Sequence, residues 1–156
     1  MSDNPALSLD GFLPYRLSVL SNAVSSKIAK IYEQEFELSV WQWRIIAVLG
    51  EHEGLTSTEV AQRTLMDKPT VSRAAASLIE RGILERNIDS DDRRRAPMRL
   101  TAEGKAIYAA VIPRAIESER ELLNAITEDE AETLHRLLSR LSAVVSPESP
   151  LWGEDE

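Results

Sequence analysis

The stretch from Thr56 to Thr101, TSTEVAQRTLMDKPTVSRAAASLIERGILERNIDSDDRRRAPMRLT, decides the fold that this sequence predicts. Two short amphipathic segments come first, and the second of them ends at Gly82. A charged stretch with a cluster of arginines follows, and a short strand-like segment flanks it on each side. Helix, helix and hairpin in this order are typical of a winged helix-turn-helix.

Both helices of this stretch carry start signals in the sequence. Thr56 and Glu59 have the spacing of a capping box, in which each side chain accepts a hydrogen bond from the other residue's backbone N–H. Asp67 is the predicted cap of the second helix, and Pro69 falls in its first turn, where a missing N–H costs nothing. Helical spacing predicts an inward face of Val71, Ala75, Leu78 and Ile79, and an outward face of Lys68, Pro69, Ser72, Arg73 and Ala76.

The small and partly basic outward face of the second helix predicts a DNA contact. In helix-turn-helix proteins this helix enters the major groove, and small residues such as Ser72 and Ala76 let its backbone come close. Lys68 and Arg73 can reach guanine edges or phosphates. From the two helices we predict DNA contacts at Ser57, Thr58, Lys68, Pro69, Thr70, Ser72, Arg73 and Ser77. A helical hairpin of an all-α protein is the alternative at this point, because a helix pair alone is a weak signal.

The arginine-rich stretch is predicted to be the tip of a β-hairpin. Segments 83–87 and 96–100 are strand candidates, and Pro97 marks the second one as an edge strand. The tip between them is too polar to bury, and a solvated loop is its simplest interpretation. An aspartate can also hold an arginine in a fixed pose through a bidentate pair, so that neighbouring arginines project into a narrow minor groove. We therefore add four residues to the predicted DNA contacts: Asp92, Arg93, Arg94 and Arg95.

A family resemblance becomes visible at this hairpin. Asp92-Arg93-Arg94, followed by five residues and then Leu100-Thr101, resembles the Asp-x-Arg-x5-Leu-Thr wing signature of the MarR (multiple antibiotic resistance regulator) family. Segments 67–73, 78–84 and 102–104 also fit that family, and the resemblance extends over residues 13–145. It implies a transcriptional regulator that binds DNA as a homodimer, with Arg94 as the wing contact and Asp92 holding the loop.

The same resemblance implies a fold class and a division of the chain. The fold is mainly α-helical, with a winged helix-turn-helix lobe at residues 55–101. Helices within residues 11–36 and 102–146 form the dimerisation region of a single domain spanning residues 1–156. We expect a sequence-specific regulator that binds a palindromic operator in double-stranded DNA.

Net charge is distributed unevenly along the 156 residues. The whole chain carries −8, yet residues 57–99 hold nine lysines and arginines against seven acidic residues. Residues 1–56 and 100–156 are both net acidic. Positive charge confined to the predicted DNA-binding segment helps to orient docking, because the acidic remainder is repelled by DNA. An acidic soluble protein with a chance arginine run is the competing interpretation.

Long apolar repeats flank the winged segment on both sides. The repeat from Leu13 to Phe36 is longer than one domain core requires. The leucine-rich helices after Thr101 leave more apolar surface than the DNA-binding lobe can cover. A homodimer is therefore predicted, although part of this surface is expected in the core of the chain itself.

The remaining expectations concern helix ends, tails and location. Asp10 is the expected cap of the first helix, and Pro113 is expected to kink or break the helix that follows the wing. Residues 1–10 and 147–156 are expected to be flexible tails. The chain has no Cys, which excludes disulfides and thiolate metal sites and suits a reducing cytoplasm. No apolar run approaches the roughly 20 residues of a membrane span.

No catalytic constellation is recognisable in the sequence. The only histidines, His52 and His135, fall in different predicted elements, and the six glycines are too scattered for a phosphate-binding loop. No Gly-x-Ser-x-Gly motif occurs either. We therefore predict no enzymatic activity and no cofactor. A winged-helix module used only for protein–protein contact is the alternative function.

The family resemblance also implies a small-molecule site, because members often bind phenolic or aromatic carboxylates between the dimerisation helices and the DNA-binding lobe. Arg16 and Arg44 could pair with such a carboxylate, or the ligand could be an aromatic acyl thioester. The candidate ligand-binding set is Tyr15, Arg16, Trp41, Trp43 and Arg44. The expected function is then a repressor that leaves its operator when the ligand binds. Intrachain salt bridges of the two arginines, or no ligand at all, are the alternatives.

Overall fold

The computed structural model describes residues 7–87, 96–147 and 151, and this part of the chain is mainly α-helical. The elements are α1 (Leu13–Phe36), α2 (Val40–Glu51), α3 (Ser57–Thr64), α4 (Lys68–Glu80), β1 (Leu84–Arg86), β2 (Met98–Leu100), α5 (Ala102–Leu123) and α6 (Glu128–Val145). A single 3-10 turn, Leu9–Gly11, precedes α1. The predicted fold class, a winged helix-turn-helix between long terminal helices, is confirmed by this order.

Hydrogen bonds at the caps confirm the helix starts predicted at Thr56 and Asp67, and similar bonds begin three other helices. Capping boxes at Ser39, Thr56 and Thr127 begin α2, α3 and α6. The Thr101 hydroxyl caps α5, and the Asp67 carboxylate caps α4. Each of these bonds satisfies a backbone N–H that the first turn of a helix leaves unpaired. The boundaries of these helices therefore follow from residues three positions apart in the sequence.

One expectation about the long helices is wrong, and of the two outcomes expected at Pro113, a kink or a break, the break does not occur. Asp10 does not cap α1, because it lies in the 3-10 turn, and the residue that precedes α1 is Phe12, whose side chain makes no capping bond. Pro113 does not break α5, which continues through it as one helix that packs against α1. A proline inside a helix removes one backbone donor and crowds the preceding turn, and the packing of α5 against α1 and α2 offsets this cost. Most of the predicted tails lies outside the described residues.

The hydrophobic core surrounds α2. This helix packs against α3, α4, α5 and β2, and its Ile45, Ile46 and Leu49 are completely buried. Buried side chains of the surrounding elements include Val60, Val71, Ala75, Leu78, Leu84, Met98 and Val111. An isolated bridge joins Leu55, which lies just before α3, to Met98 of β2. The helix-turn-helix and the base of the wing therefore share one core.

An aromatic stack connects three helices at one side of this core. Trp43 of α2 lies between Tyr32 of α1 and Tyr108 of α5. The centroid of its ring is 5.5 Å from that of Tyr32 and 6.5 Å from that of Tyr108. Gly50 is required beside it, because a Cβ atom there would lie 2.3 Å from the Tyr108 ring. Burial, and after it the Glu33 carboxylate, raises the pKa of the Tyr32 hydroxyl above its ordinary value. The stack ties both long helices to the centre of the DNA-binding lobe.

The wing is a two-stranded antiparallel sheet of β1 and β2, with Glu85 opposite Arg99. Beyond the strands, the Asn87 N–H donates to the Pro97 carbonyl at 3.0 Å, which continues the pairing towards the tip. Residues 88–95 lie outside the described part of the structure. The predicted strands are therefore confirmed in shortened form, and the predicted tip stays a prediction.

A large apolar surface is exposed on the terminal helices. The residues lie in the first half of α1, near the end of α5 and along α6, and include Leu13, Leu17, Leu20, Ile116, Leu122, Leu134, Leu137, Leu141 and Val144. Single exposed apolar residues are normal, but stripes of them mark interaction sites. Among the described helices, none has the length and apolar character that crossing a bilayer requires.

Candidate nucleic-acid interface

The two faces of α4 differ sharply. Val71, Ala75 and Leu78 are fully buried, and the helix packs against α2 and α3. The residues of the opposite face, Lys68, Pro69, Ser72, Arg73 and Ala76, are all exposed. The predicted faces are therefore confirmed. A helix packed on one side, with a small and basic outer face, has the arrangement that a recognition helix needs in order to enter a major groove.

A hydrogen-bond network holds the first turn of α4. The Asp67 carboxylate accepts from the Thr70 hydroxyl at 2.7 Å and from the Thr70 backbone N–H at 2.8 Å. These two bonds, the hydroxyl first, lower the pKa of Asp67 below its ordinary 3.8, so the carboxylate is charged at neutral pH. Arg73 in turn donates to the Thr70 hydroxyl at 3.4 Å. The guanidinium of Arg73 is thus anchored over the N-terminal end of α4.

Other predicted contact residues also bond to neighbouring elements. Ser77 is half-buried, and its hydroxyl accepts from the Gln42 side chain of α2 at 3.0 Å. Ser57 is half-buried as well, and accepts from Arg86 of β1 at 3.4 Å. Thr58, one position further along α3, is exposed. Ser77 therefore bonds α4 to α2, and Ser57 bonds α3 to β1. The sequence did not reveal these bonds, because the partners are distant in the chain.

Basic side chains also stand on the strands of the wing. Arg86 ends β1 and Arg99 lies in β2, and both are exposed. Neither is among the predicted DNA contacts. Arg99 lies opposite the exposed Glu85, whereas Arg86 lies opposite the buried Met98 and donates to Ser57 of α3. The predicted tip contacts, Asp92, Arg93, Arg94 and Arg95, lie outside the described residues. The described strands of the wing therefore carry two exposed arginines.

The candidate ligand residues of α2 lie in two different environments. The Arg44 guanidinium lies over the Trp41 ring, 5.3 Å from its centroid, on a partly exposed surface. Trp43 belongs instead to the aromatic stack inside the protein. A guanidinium on an indole ring keeps its N–H groups available, because the contact uses the faces of both groups. Arg44 and Trp41 together could receive an aromatic carboxylate.

The candidate ligand residues of α1 lie far from α2 within one chain. Tyr15 and Arg16 are exposed near the start of α1, whereas the α1 residue that stacks on Trp43 is Tyr32. At the rise of an α-helix, Arg16 is about 24 Å along α1 from Tyr32. A single chain therefore does not bring Arg16 to the candidates on α2. In the described part of the chain, neither Arg16 nor Arg44 takes part in an ion pair.

Elsewhere in the described part of the chain, charged groups form surface pairs and no metal centre. Within residues 7–87 and 96–147, no group of three or more His, Cys, Asp or Glu side chains could hold a metal ion. Lys105 and Glu53 pair at 2.7 Å, and this hydrogen bond and charge lower the pKa of the Glu53 carboxyl. His135 is exposed on α6. The Nε2 atom of His52 lies 3.7 Å from the Oε1 atom of Glu51. The face of α4 and the wing are therefore the best-organised candidate site in the described structure.

Comparison with known proteins finds similarity to transcriptional regulators. A family model described as MarR family matches residues 36–95, from the end of α1 into the wing. The HTH-type transcriptional regulator PecS of Dickeya dadantii is 26% identical over 144 residues, which cover 90% of this chain and 86% of PecS.

Solved structures extend the similarity over almost the whole chain. A MarR/EmrR family transcriptional regulator from Acinetobacter sp. ADP1 is 30% identical with a TM-score of 0.83, covering 90% of this chain and 99% of that one. The MepR–DNA complex of S. aureus is 26% identical with a TM-score of 0.76, covering 83% of this chain and 96% of MepR. The packed recognition helix, the wing and these similarities agree: the chain belongs to the MarR family of winged-helix, DNA-binding transcriptional regulators and is not an enzyme.

Proposed function

We propose that this regulator is a homodimeric repressor that binds a palindromic operator and releases it when a small aromatic carboxylate, or its acyl thioester, binds. In each copy α4 enters the major groove, with Lys68, Ser72 and Arg73 towards base edges and phosphates. The arginines of residues 93–95 reach the adjacent minor groove. The observation that carries this proposal is the exposed, small and basic face of α4 opposite a completely buried face.

The apolar stripes of the terminal helices support the homodimer. Leu134, Leu137 and Leu141 share one face of α6, and all three are exposed in the single chain. A second copy would cover this surface through a two-fold interface. Such a dimer presents two copies of α4 to one side of a duplex, where half-sites about 34–36 Å apart match a palindrome.

The wing assignment is tested by Arg94→Ala. We expect operator affinity to fall by about 1–3 kcal/mol, because a charged contact to the groove is lost. The probe is a duplex that the wild-type protein enriches from its own genome, titrated by gel shift at fixed salt. Arg120→Ala removes an arginine that pairs with Glu117 on α5, and is the matched control. Unchanged affinity for Arg94→Ala would show that the wing assignment is wrong.

A winged-helix module for protein–protein contact is the competing function. The exposed basic residues Lys68, Arg73, Arg86 and Arg99 of α4 and the wing favour DNA instead. A salt titration separates the two, because a protein that neutralises several phosphates loses affinity steeply as salt rises, with a slope of about −0.9 per phosphate in logarithmic units. Duplex binding that is absent, or independent of salt, would favour the protein–protein function.

Ligand responsiveness is the second part of the proposal and has its own test. Arg16 and Arg44 have no ion-pair partner in the described structure, and Tyr15 and Trp41 offer exposed rings beside them. Because α1 and α2 candidates are far apart in one chain, a site that includes both has to form between two copies. We expect benzoate or cinnamate derivatives to raise the melting temperature of the wild type. The shift should shrink in Arg16→Ala, and a shift that survives would remove Arg16 from the site.

A further inference from the structure

The C-terminal end of α4 is bonded to the C-terminal end of α1 by one side chain. Arg81 follows directly on α4, and its guanidinium donates to the Phe36 carbonyl at 2.6 Å and to the Glu37 carbonyl at 3.1 Å. Carbonyls at a helix C-terminus lack partners within the helix and carry partial negative charge. A planar guanidinium with several N–H donors is well suited to both of them. Arg81 thus ties the recognition helix to α1.

The residues that follow Arg81 are bonded to α5. The Thr101 hydroxyl, which also caps α5, donates to the Gly82 carbonyl at 2.6 Å. The Thr101 N–H donates to the Ile83 carbonyl at 3.1 Å. A Cβ atom on Gly104 would lie 2.3 Å from that Ile83 carbonyl oxygen, so the first turn of α5 is pressed against the chain that leaves α4. Both long helices therefore hold the same end of the recognition helix.

We propose that Arg81 is a positioning residue for operator recognition, which fixes the angle between α4 and α1 and thereby the separation of the two recognition helices in the dimer. The inference rests on the proposed function, because it needs two copies joined through the terminal helices. Arg81 is at the far end of α4 from Lys68, about 20 Å along the helix, so it does not take part in the N-terminal base contacts.

Removing the Arg81 side chain leaves the buried face of α4 intact. Val71, Ala75 and Leu78 still pack in the core, and Gln42 still donates to Ser77. Arg81 itself is exposed, so its replacement opens no cavity. The expected consequence is a folded protein whose recognition helices occupy a wider range of separations.

A distance measurement in the DNA-free protein tests this directly. The chain has no cysteine, so Ala76→Cys on the exposed face of α4 gives one nitroxide label per copy. Double electron–electron resonance then reports the distribution of distances between the two labels. We expect a narrow distribution in the labelled parent, a broader one after Arg81→Ala, and partial recovery with Arg81→Lys, whose ammonium group can reach one carbonyl.

Arg114→Ala is the matched control for the distance measurement. Arg114 pairs with Glu35 and so joins α5 to α1, without touching α4, and its removal changes the net charge by the same amount. The control should keep the narrow distribution of the parent. An Arg81→Ala distribution equal to that of the parent would overturn the inference and leave the dimer standing. A parent that shows no dipolar signal would instead overturn the homodimer, and the inference with it.

Operator spacing provides the second readout. The probe is a palindromic duplex that the wild type selects from a random-sequence pool, and the same duplex with one base pair inserted at its centre. We expect the wild type to lose roughly tenfold in affinity for the inserted duplex, on the scale of one lost base contact. Arg81→Ala should bind the unaltered duplex more weakly than the wild type does. The ratio of its affinities for the unaltered and the inserted duplex should also be smaller than in the wild type. A merely unstable variant would weaken on both duplexes equally, so an unchanged ratio would contradict the positioning role.

Discussion

Ser72→Glu should abolish specific operator binding and leave only the non-specific affinity, a loss of roughly 10³-fold or more. Ser72 lies on the same face of α4 as Lys68 and Ala76, at spacings of four residues, and this face is exposed. A short side chain lets the backbone approach the base edges, whereas glutamate adds both length and negative charge beside the phosphates. Fluorescence anisotropy with a labelled operator duplex at fixed salt measures the loss.

Two control variants separate size from charge. Ser72→Ala keeps a small side chain and should bind within a few-fold of the wild type. Gln34→Glu adds the same negative charge at an exposed position of α1 and should leave operator affinity almost unchanged. Thermal unfolding of all three variants checks that they are folded. Tight, specific binding by Ser72→Glu would remove this face of α4 from the major groove.

The parts of the fold that were predictable depend on short-range interactions. The helix caps are hydrogen bonds between residues three positions apart, such as Thr56 with Glu59 and Asp67 with Thr70. Residue type and spacing are therefore enough to predict them. The two faces of α4 follow from helical spacing in the same way. Asp10 shows the limit of this reasoning, because a residue type suited to capping does not determine which turn it joins.

The parts of the site that were not predictable depend on contacts between distant residues. Gln42 with Ser77, and Arg81 with the end of α1, join positions more than thirty residues apart, and helical spacing carries no information about them. The ligand candidates show the same limit. Arg16 and Trp43 both have chemistry suited to an aromatic carboxylate, yet the length of α1 separates them in one chain.

Ile46→Ala should lower the free energy of unfolding by about 2–5 kcal/mol. Ile46 is completely buried near the middle of α2, the helix around which the other elements of the lobe pack. The loss combines the transfer free energy of the deleted methyl and methylene groups with the cavity that rigid neighbours leave unfilled. Because typical domains are stable by only about 5–15 kcal/mol, this is a large share of the total. Urea unfolding followed by circular dichroism measures it.

Ile116→Ala deletes the same atoms at a position that is 48% exposed in the single chain. If α5 contributes to the homodimer, its effect should be weaker association, measured as a higher dissociation constant by sedimentation equilibrium. Ile46→Ala should instead leave association almost unchanged, because the residue lies inside one copy. The two isoleucines therefore distinguish burial within a chain from burial between chains. Equal and small effects of both substitutions on unfolding would mean that α2 is not the centre of the core.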